Sequence, residues 1–235
     1  MPLAQAGPLT TIIMASPSQT ARYQHSLSQF GEFVLDHDEL DDILNEACRL
    51  VAQGLGVDLA KVVEIDRSSD TGLVRAGVGW KPGVVGKERI ALSERSSEAF
   101  AVAKSKPVIT RDISCEDRFE FPEFLLDHCV VAMVNVPILL SGRVPFGLLQ
   151  VDSRHPRDFG EQDVQFLKTY AMMLGPAIER LKTASALKVA DERLQLIENA
   201  RAYVMVICDE DDRITAWRAG AEELLGWSPS EASGQ

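Results

Sequence analysis

VVAMVNVPILLSGRVPFGLLQVD, residues 130–152, holds two runs dense in β-branched and other apolar side chains on either side of a Ser141-Gly142 pair. Such runs favour extended chain, and a glycine-containing pair between them favours a reversal. Val130 to Leu139 and Val144 to Asp152 therefore read as two strands of a hairpin with a tight turn at Ser141-Gly142. The same stretch contains the longest apolar run, Val130 to Leu140, broken by Asn135 and Pro137. It falls far short of the roughly 20 residues needed to cross a bilayer, so no membrane span is expected.

Upstream of the hairpin, Tyr23, Leu27, Phe30 and Val34 keep helical spacing and predict an amphipathic helix ending near His37. A second helix follows at once. Asp38 is its expected cap, Glu39, Asp41 and Asp42 suit the positive end of its dipole, and Leu40, Ile43, Leu44, Ala47 and Val51 supply the buried face up to Gly54 or Gly56. Cys48 is expected on that face. From Leu59 the period changes to two: Val62 to Ile65 reads as a strand, Ser68 to Gly72 as a turn and Leu73 to Val78 as the returning strand. Arg89 to Leu92 predicts a third strand, and Ser96 or Ser97 caps a short helix through Ala103 that Pro107 stops. Val108 to Thr110 is a brief strand. Asp112 to Pro122 reads as a loop, with a short helix near Glu123 to His128.

Downstream, a helical pattern runs from Glu161 through Val164, Leu167, Tyr170, Ala171, Leu174, Ile178 and Leu181, with Pro176 able to kink it. Leu187, Ala190, Leu194 and Ile197 resume the stripe after a shift in phase, as a three-residue stammer in a coiled coil does. A long helix of this kind calls for a partner helix. A fresh β pattern then opens at Tyr203 to Cys208, turns at Asp209 to Asp212, returns as Arg213 to Trp217, and leads to a short helix carrying Ala221, Leu224 and Leu225 before Gly226.

Composition narrows the function classes. Hydrophobic residues make up 46% and charged residues 25% of 235, the balance of a folded chain. A net charge of −11 with a pI near 4.9 opposes phosphate backbones and anionic lipid, so neither nucleic acid nor membrane is an expected partner. Residues 1–20 contain no Lys or Arg and read as a flexible lead-in, with Ile12-Ile13-Met14 too short for a signal-peptide core. The four cysteines, Cys48, Cys115, Cys129 and Cys208, fall in no metal-like spacing, which fits reduced thiols and a cytoplasmic location.

Helix, helix, hairpin, strand, helix, strand, loop, hairpin, long helix is an α+β order. Its local motifs are Val136-Pro137-Ile138, Gly142, Phe146-Gly147-Leu148-Leu149, Phe159-Gly160-Glu161-Gln162-Asp163, Phe166-Leu167, and Asp112-Ile113 ahead of Asp117-Arg118-Phe119. In this order and with these motifs, residues 21–181 resemble the GAF family, an antiparallel sheet flanked by helices. Residues 182–200 are then a signalling linker helix. From Glu192 on, Leu196 to Ala200, the strand pair, Trp217 to Glu222 and Leu225 to Glu231 resemble the opening of a PAS domain, so 201–235 form a partial PAS-like α/β domain. The resemblance implies the sensory input half of a bacterial histidine kinase. The chain itself holds no phosphoacceptor helix and no ATP-binding glycine boxes, so no catalysis is expected in it. A homodimer through the first and exit helices is the implied assembly.

Candidate site residues follow from the same resemblance. Relatives that bind cyclic nucleotides carry an Asn-Lys pair where this chain has Asp152-Ser153, although Phe159 and Asp163 match. Bilin-binding relatives carry Cys-His where this chain reads Glu120-Phe121. A pocket for a small, unidentified ligand is expected to be lined by Trp80, Phe100, Phe119, Phe121 and Phe124, with Arg111 or Arg118 pairing an anionic group and Asp112, His128 and Cys129 nearby. Core packing is the plainer account of the aromatics, and a contact to Asp112 or Asp117 the plainer account of Arg118. The competing class is a GAF-fold thiol-dependent reductase using Cys115 and Cys129; a ligand-free interaction module is a third.

Overall fold

Residues 17–198, 206–217 and 219–233 are described in the computed structural model of the chain. Helix α1 (Pro17–Asp36) begins inside the expected lead-in, with a proline where a missing N–H costs nothing. Residues 1–16 lie outside the described set. Helix α2 (Leu40–Leu55) is flanked by Glu39 rather than Asp38 and has no side-chain cap; Gly56, at φ +63°, closes it in the left-handed region. Cys48 sits on its buried face.

Strands β1 (Leu59–Asp66), β2 (Thr71–Val78) and β3 (Arg89–Ala91) follow, then α3 (Ser97–Lys104), which Ser96 caps by accepting the Ala99 N–H at 2.8 Å. Strand β4 (Val108–Thr110), a 3-10 turn at Ile113–Cys115 and α4 (Glu123–Asp127) lead to β5 (Ala132–Leu139), β6 (Pro145–Ser153) and the long helix α5 (Glu161–Glu198). The hairpin of residues 130–152 thus forms as expected, but its connection is wider than a two-residue turn. Ser141–Arg143 make a 3-10 turn in which Gly142 and Arg143 are left-handed. An anchor outside the hairpin holds it open: the Ser141 N–H and hydroxyl both donate to the Glu179 carboxylate on α5, at 2.8 and 2.7 Å.

Six strands pair antiparallel in the order β3-β2-β1-β6-β5-β4. Alternation sorts the central strands into two faces. Ala60 and Val62, Leu149 and Val151, and Val134 and Val136 are all buried and apolar on one face. Helices α1, α2 and α5 form one layer through mutual contacts: Tyr23 stacks on Phe166 at 4.1 Å, Phe30 lies 4.7 Å from Tyr170, and the Ser26 hydroxyl lies 2.7 Å from that of Tyr170 and 3.3 Å from the Leu50 carbonyl oxygen of α2. Gly175 lets α5 approach the sheet, since a Cβ there would stand 2.3 Å from the Leu139 carbonyl oxygen. Pro176 stands inside the helix, which continues through it.

The chain divides into two compact units, residues 1–179 and 180–235, and α5 runs through the division. In the second unit β7 (Val206–Cys208) pairs antiparallel with β8 (Ile214–Trp217) as a separate sheet. The Asp209 carboxylate accepts the Asp211 and Arg213 N–H groups to close their turn. Helix α6 (Ala219–Leu225) ends at Gly226 as expected, and α7 (Pro229–Ala232) opens with a capping box between Ser228 and Glu231. The expected strand start at Tyr203 and helix end at Ala200 lie outside the described residues. No helix among the described residues is long and apolar enough to cross a membrane.

Candidate functional site

The second face of the sheet carries the chemistry. Register places Lys61 opposite Gln150 and Gln150 opposite Asn135, so β1, β6 and β5 contribute one polar row. In the next row Asp152 faces Met133, and Met133 faces Thr110 on β4. Helix α3 covers this face: Asn135 Nδ2 donates to Ser97 Oγ at 2.9 Å, and the Ser97 hydroxyl donates to Glu98 Oε2 at 3.0 Å. Lys61, Glu98, Asn135, Gln150 and Asp152 are fully buried. Around them lies an apolar cluster that includes Leu59, Val63, Ala101, Val108, Met133 and Leu148.

Charges this deep persist only when paired. Lys61 Nζ donates to Asp152 Oδ2 at 2.8 Å, and Gln150 Nε2 donates to Asp152 Oδ1 at 2.6 Å. The remaining face of the ammonium lies over the Trp80 ring, 4.4 Å from its centroid, and 5.6 Å from that of Phe124. Burial pushes the Lys61 pKa down and the Asp152 pKa up, and their mutual attraction opposes both shifts. Burial also raises the Glu98 pKa, against the pull of Lys61 and its bonds to its own backbone and to Ser97. Four buried polar atoms of this face lack a hydrogen-bond partner: Glu98 Oε1, Asn135 Oδ1, Gln150 Oε1 and Thr110 Oγ1. Buried polar groups are rarely left so, which singles the cluster out as the candidate site.

Of the ten pocket residues expected from the sequence, four belong to the wall of this cluster. Phe119 and Phe124 are buried in it, and Trp80 and Phe121 pack against it. Trp80 is held by its Nε1–H, which donates to the Ala60 carbonyl at 2.8 Å. His128 is buried beside Trp80 at 5.0 Å; its Nε2 accepts the Lys81 N–H, which leaves Nδ1 to donate to the Phe124 carbonyl. Its ring is therefore a structural bracket between α4 and the loop after β2.

The other five lie at the surface. Phe100 is partly exposed against Phe119, and Arg111 pairs with Asp158 at 2.9 Å in solvent. Asp112 caps the 3-10 turn through the Ser114 N–H and hydroxyl, which hold its carboxyl below the usual range. Arg118 is clamped by the Glu116 carboxylate and donates to the Ile109 carbonyl, so its partner is neither Asp112 nor Asp117. Cys115 and Cys129 are free, exposed thiols. Phe159 is buried. Asp163 accepts the Tyr23 hydroxyl and the Gly160 N–H, which ties the start of α5 to α1.

Lys61, Glu98, Asn135, Gln150 and Asp152 are the residues the sequence reading passed over as site members. The available signal was a charged or amide residue at the centre of an otherwise apolar strand, repeated on three strands: Lys61 in LAKVV, Asn135 in MVNVP, and Gln150 and Asp152 in LLQVD.

A family model of the GAF domain matches residues 39–178. Similar solved structures include the GAF domain of an Acinetobacter phosphoenolpyruvate-protein phosphotransferase, 22% identical over 73% of this chain and 99% of that one, with a TM-score of 0.61. The free methionine-R-sulfoxide reductase of Neisseria meningitidis, solved with its substrate, is 22% identical over 73% of this chain and 96% of that one, at 0.61. The chromophore-binding domain of a bacteriophytochrome from R. palustris is 18% identical over 73% of this chain and 64% of that one, at 0.60. No curated protein sequence matches significantly. At these identities the structural likenesses speak to the fold alone, and one fold carries a chromophore-binding domain and a reductase.

Proposed function

Because the chain belongs to the GAF domain family, we propose that it is the sensory input module of a bacterial signal-transduction protein, a two-component sensor histidine kinase. In this reading a small molecule binds in the polar cluster beneath α3, and α5 carries the change toward a PAS domain whose first strands and helix are β7, β8 and α6. The observation that carries the proposal is the set of four unpartnered polar atoms around a buried Lys61–Asp152 pair. A fold-only module gains nothing from leaving them unpaired, whereas a ligand supplies their partners.

A ligand biases a relay only by binding its two states unequally. Helix α3 is the element suited to sense occupancy, since Ser97 and Glu98 are its first two residues and both touch the cluster. On α5, Leu187, Leu194 and Leu196 are exposed apolar residues, which supports a homodimer through the first and exit helices. Light scattering on the chain is expected to give a dimer; a monomer at high concentration would remove that part.

Native mass spectrometry of the freshly purified chain tests the central claim. A retained small molecule, lost in Lys61→Met, is the expected result. A bare chain that binds nothing from a metabolite library would sink the sensory reading. The cysteines have no part in this scheme, so replacing Cys115 and Cys129 with Ser should leave binding unchanged. A redox activity abolished by those replacements would favour the thiol-dependent reductase instead.

A further inference from the structure

The unpartnered atoms specify the chemistry of what binds them. Both amide orientations are set by their neighbours. Gln150 Nε2 donates to Asp152 Oδ1 at 2.6 Å and lies 3.4 Å from Met133 Sδ, so reversing the amide would press its oxygen against a carboxylate. Asn135 Nδ2 donates to Ser97 Oγ, whose own hydroxyl donates to Glu98 Oε2 and also faces Met133 Sδ, so the Ser97 oxygen acts as the acceptor of the amide. What remains is Gln150 Oε1, Asn135 Oδ1 and Glu98 Oε1, all acceptors, with the Thr110 hydroxyl beside them.

These atoms share one small region. Gln150 and Asn135 are directly opposed on β6 and β5, and Thr110 is one step diagonal to Asn135 on β4. Directly opposed side chains on a sheet face stand about 5 Å apart and diagonal ones about 7–8 Å. Glu98 reaches the same place from above, through Ser97. Acceptors borne by neighbouring residues of one buried face, one of them a carboxyl, suit a group rich in donors.

The charges point the same way. Lys61 and Asp152 neutralise each other, and the free face of the Lys61 ammonium is taken up by the Trp80 and Phe124 rings. An anion therefore meets mostly acceptor oxygens here, while a cation next to Glu98 favours its ionised form and with it completes a neutral set. A metal ion of the calcium type takes six to eight oxygens; this site offers four beside apolar walls formed by Val108, Ala101 and Leu148. An alkylammonium has three N–H donors and a short tail for those walls.

We propose that the cluster binds the protonated amino group of a small primary amine, with Glu98, Asn135 and Gln150 accepting its three N–H bonds and Thr110 bordering them. The proposal rests on the reading of this cluster as the sensory site and names the ligand class for it.

Isothermal titration calorimetry of the full chain with methylammonium, ethylammonium and butylammonium chloride tests it, with tetramethylammonium, calcium and potassium chlorides and sodium acetate as comparison salts. Saturable binding of primary ammonium ions is expected, with none for tetramethylammonium, which has the charge and no N–H. Glu98→Gln keeps the shape of the side chain and should weaken binding at least about tenfold. Thr110→Val, a milder change near the same atoms, should weaken it several-fold and stands in should Glu98→Gln fail to fold. Equal binding of tetramethylammonium, potassium or calcium overturns the proposal, as does a Glu98→Gln protein that binds amines within twofold of the parent. Acetate binding with no amine binding overturns the amine class yet leaves the sensory reading standing. No heat from any salt, together with a non-amine ligand retained in native mass spectrometry, separates the two claims in the same way.

Discussion

Replacing Asp152 with Asn leaves the Lys61 ammonium beside a neutral amide in a site that solvent does not reach. Both side chains are fully buried and 2.8 Å apart, so the attraction removed is roughly 6 kcal/mol at an effective dielectric of about 20. Part of that returns because Lys61, whose pKa burial already lowers, sheds its proton more readily once the carboxylate is gone. The net cost of breaking a buried pair from one side is about 3–5 kcal/mol, a fall of roughly 6–20 °C in melting temperature for a chain of this size. The cost should shrink as pH rises, since the unpaired lysine is then neutral. Lys61→Met together with Asp152→Asn removes both charges while keeping an acceptor for Gln150 Nε2, and should cost less than either single change. Urea denaturation of the four proteins in this cycle, with slopes compared, is the assay. A single Asp152→Asn cost under about 1 kcal/mol, or a double variant whose cost is the sum of the singles, would refute the account of a desolvated, coupled pair.

Glu98 gives a pH signature. Its folded pKa lies above its unfolded value of about 4.5, so above that pH the unfolded chain has released a proton the native chain still holds; stability is kept below the window and declines as pH rises through it. The charged and titratable groups around it are Lys61, Asp152 and, beyond Asp152, His128, so the slope should be read as the difference between wild type and Glu98→Gln. The variant's advantage in melting temperature should grow as pH rises above about 4.5, and a flat difference would contradict it. Gly175→Ala should destabilise by about 1–3 kcal/mol, because its Cβ meets the Leu139 carbonyl and must push α5 off the end of β5; a neutral result by thermal denaturation would show that approach is not needed. Asp163→Asn exchanges a charged acceptor for the Tyr23 hydroxyl, whose pKa burial and that bond push up to about 12, and should cost about 1.5–3 kcal/mol in urea. A loss under about 0.5 kcal/mol would mean that the Tyr23–Phe166 stack and the contacts of Ser26 and Phe30 with Tyr170 hold α1 without this bond.

Much of the fold was legible because each element carried its own local cause. A period of two identified β1 and β2, dense apolar runs on either side of Ser141-Gly142 identified β5 and β6, and the serine ahead of Ser97-Glu98 identified the start of α3. The failures have particular reasons. The Ser141-Gly142 pair carries a tight-turn signal, but Glu179, 38 residues away, binds Ser141 and sets a wider loop. Arg111 and Arg118 look like free cations for a ligand because sequence does not show that Asp158, 47 residues on, and Glu116, two residues back, take them. Both cases are tertiary choices among partners that local pattern leaves equivalent.

The site itself was hidden by parity. In Leu59 to Val63 the lysine between Ala60 and Val62 fits the solvent face of a half-exposed hairpin, the ordinary place for a lysine. Only the strand order, with β1 between β2 and β6 and with α3 lying over the second face, turns that outward face into an interior one. The same step buries Asn135, Gln150 and Asp152, because register forces all of them onto the side of Lys61. A one-residue slip of β1 against β6 would put Ala60 and Val62 under α3 and send Lys61 into the apolar layer, where no carboxylate waits. The buried pair therefore acts as a register lock as well as part of the candidate site, and this gives the Lys61–Asp152 cycle a second readout: hydrogen exchange of the β1–β6 amides should quicken in Asp152→Asn beyond what its loss of global stability explains. Uniform quickening, equal in β1–β6 and in β1–β2, would assign the pair to global stability and deny it any part in choosing the register.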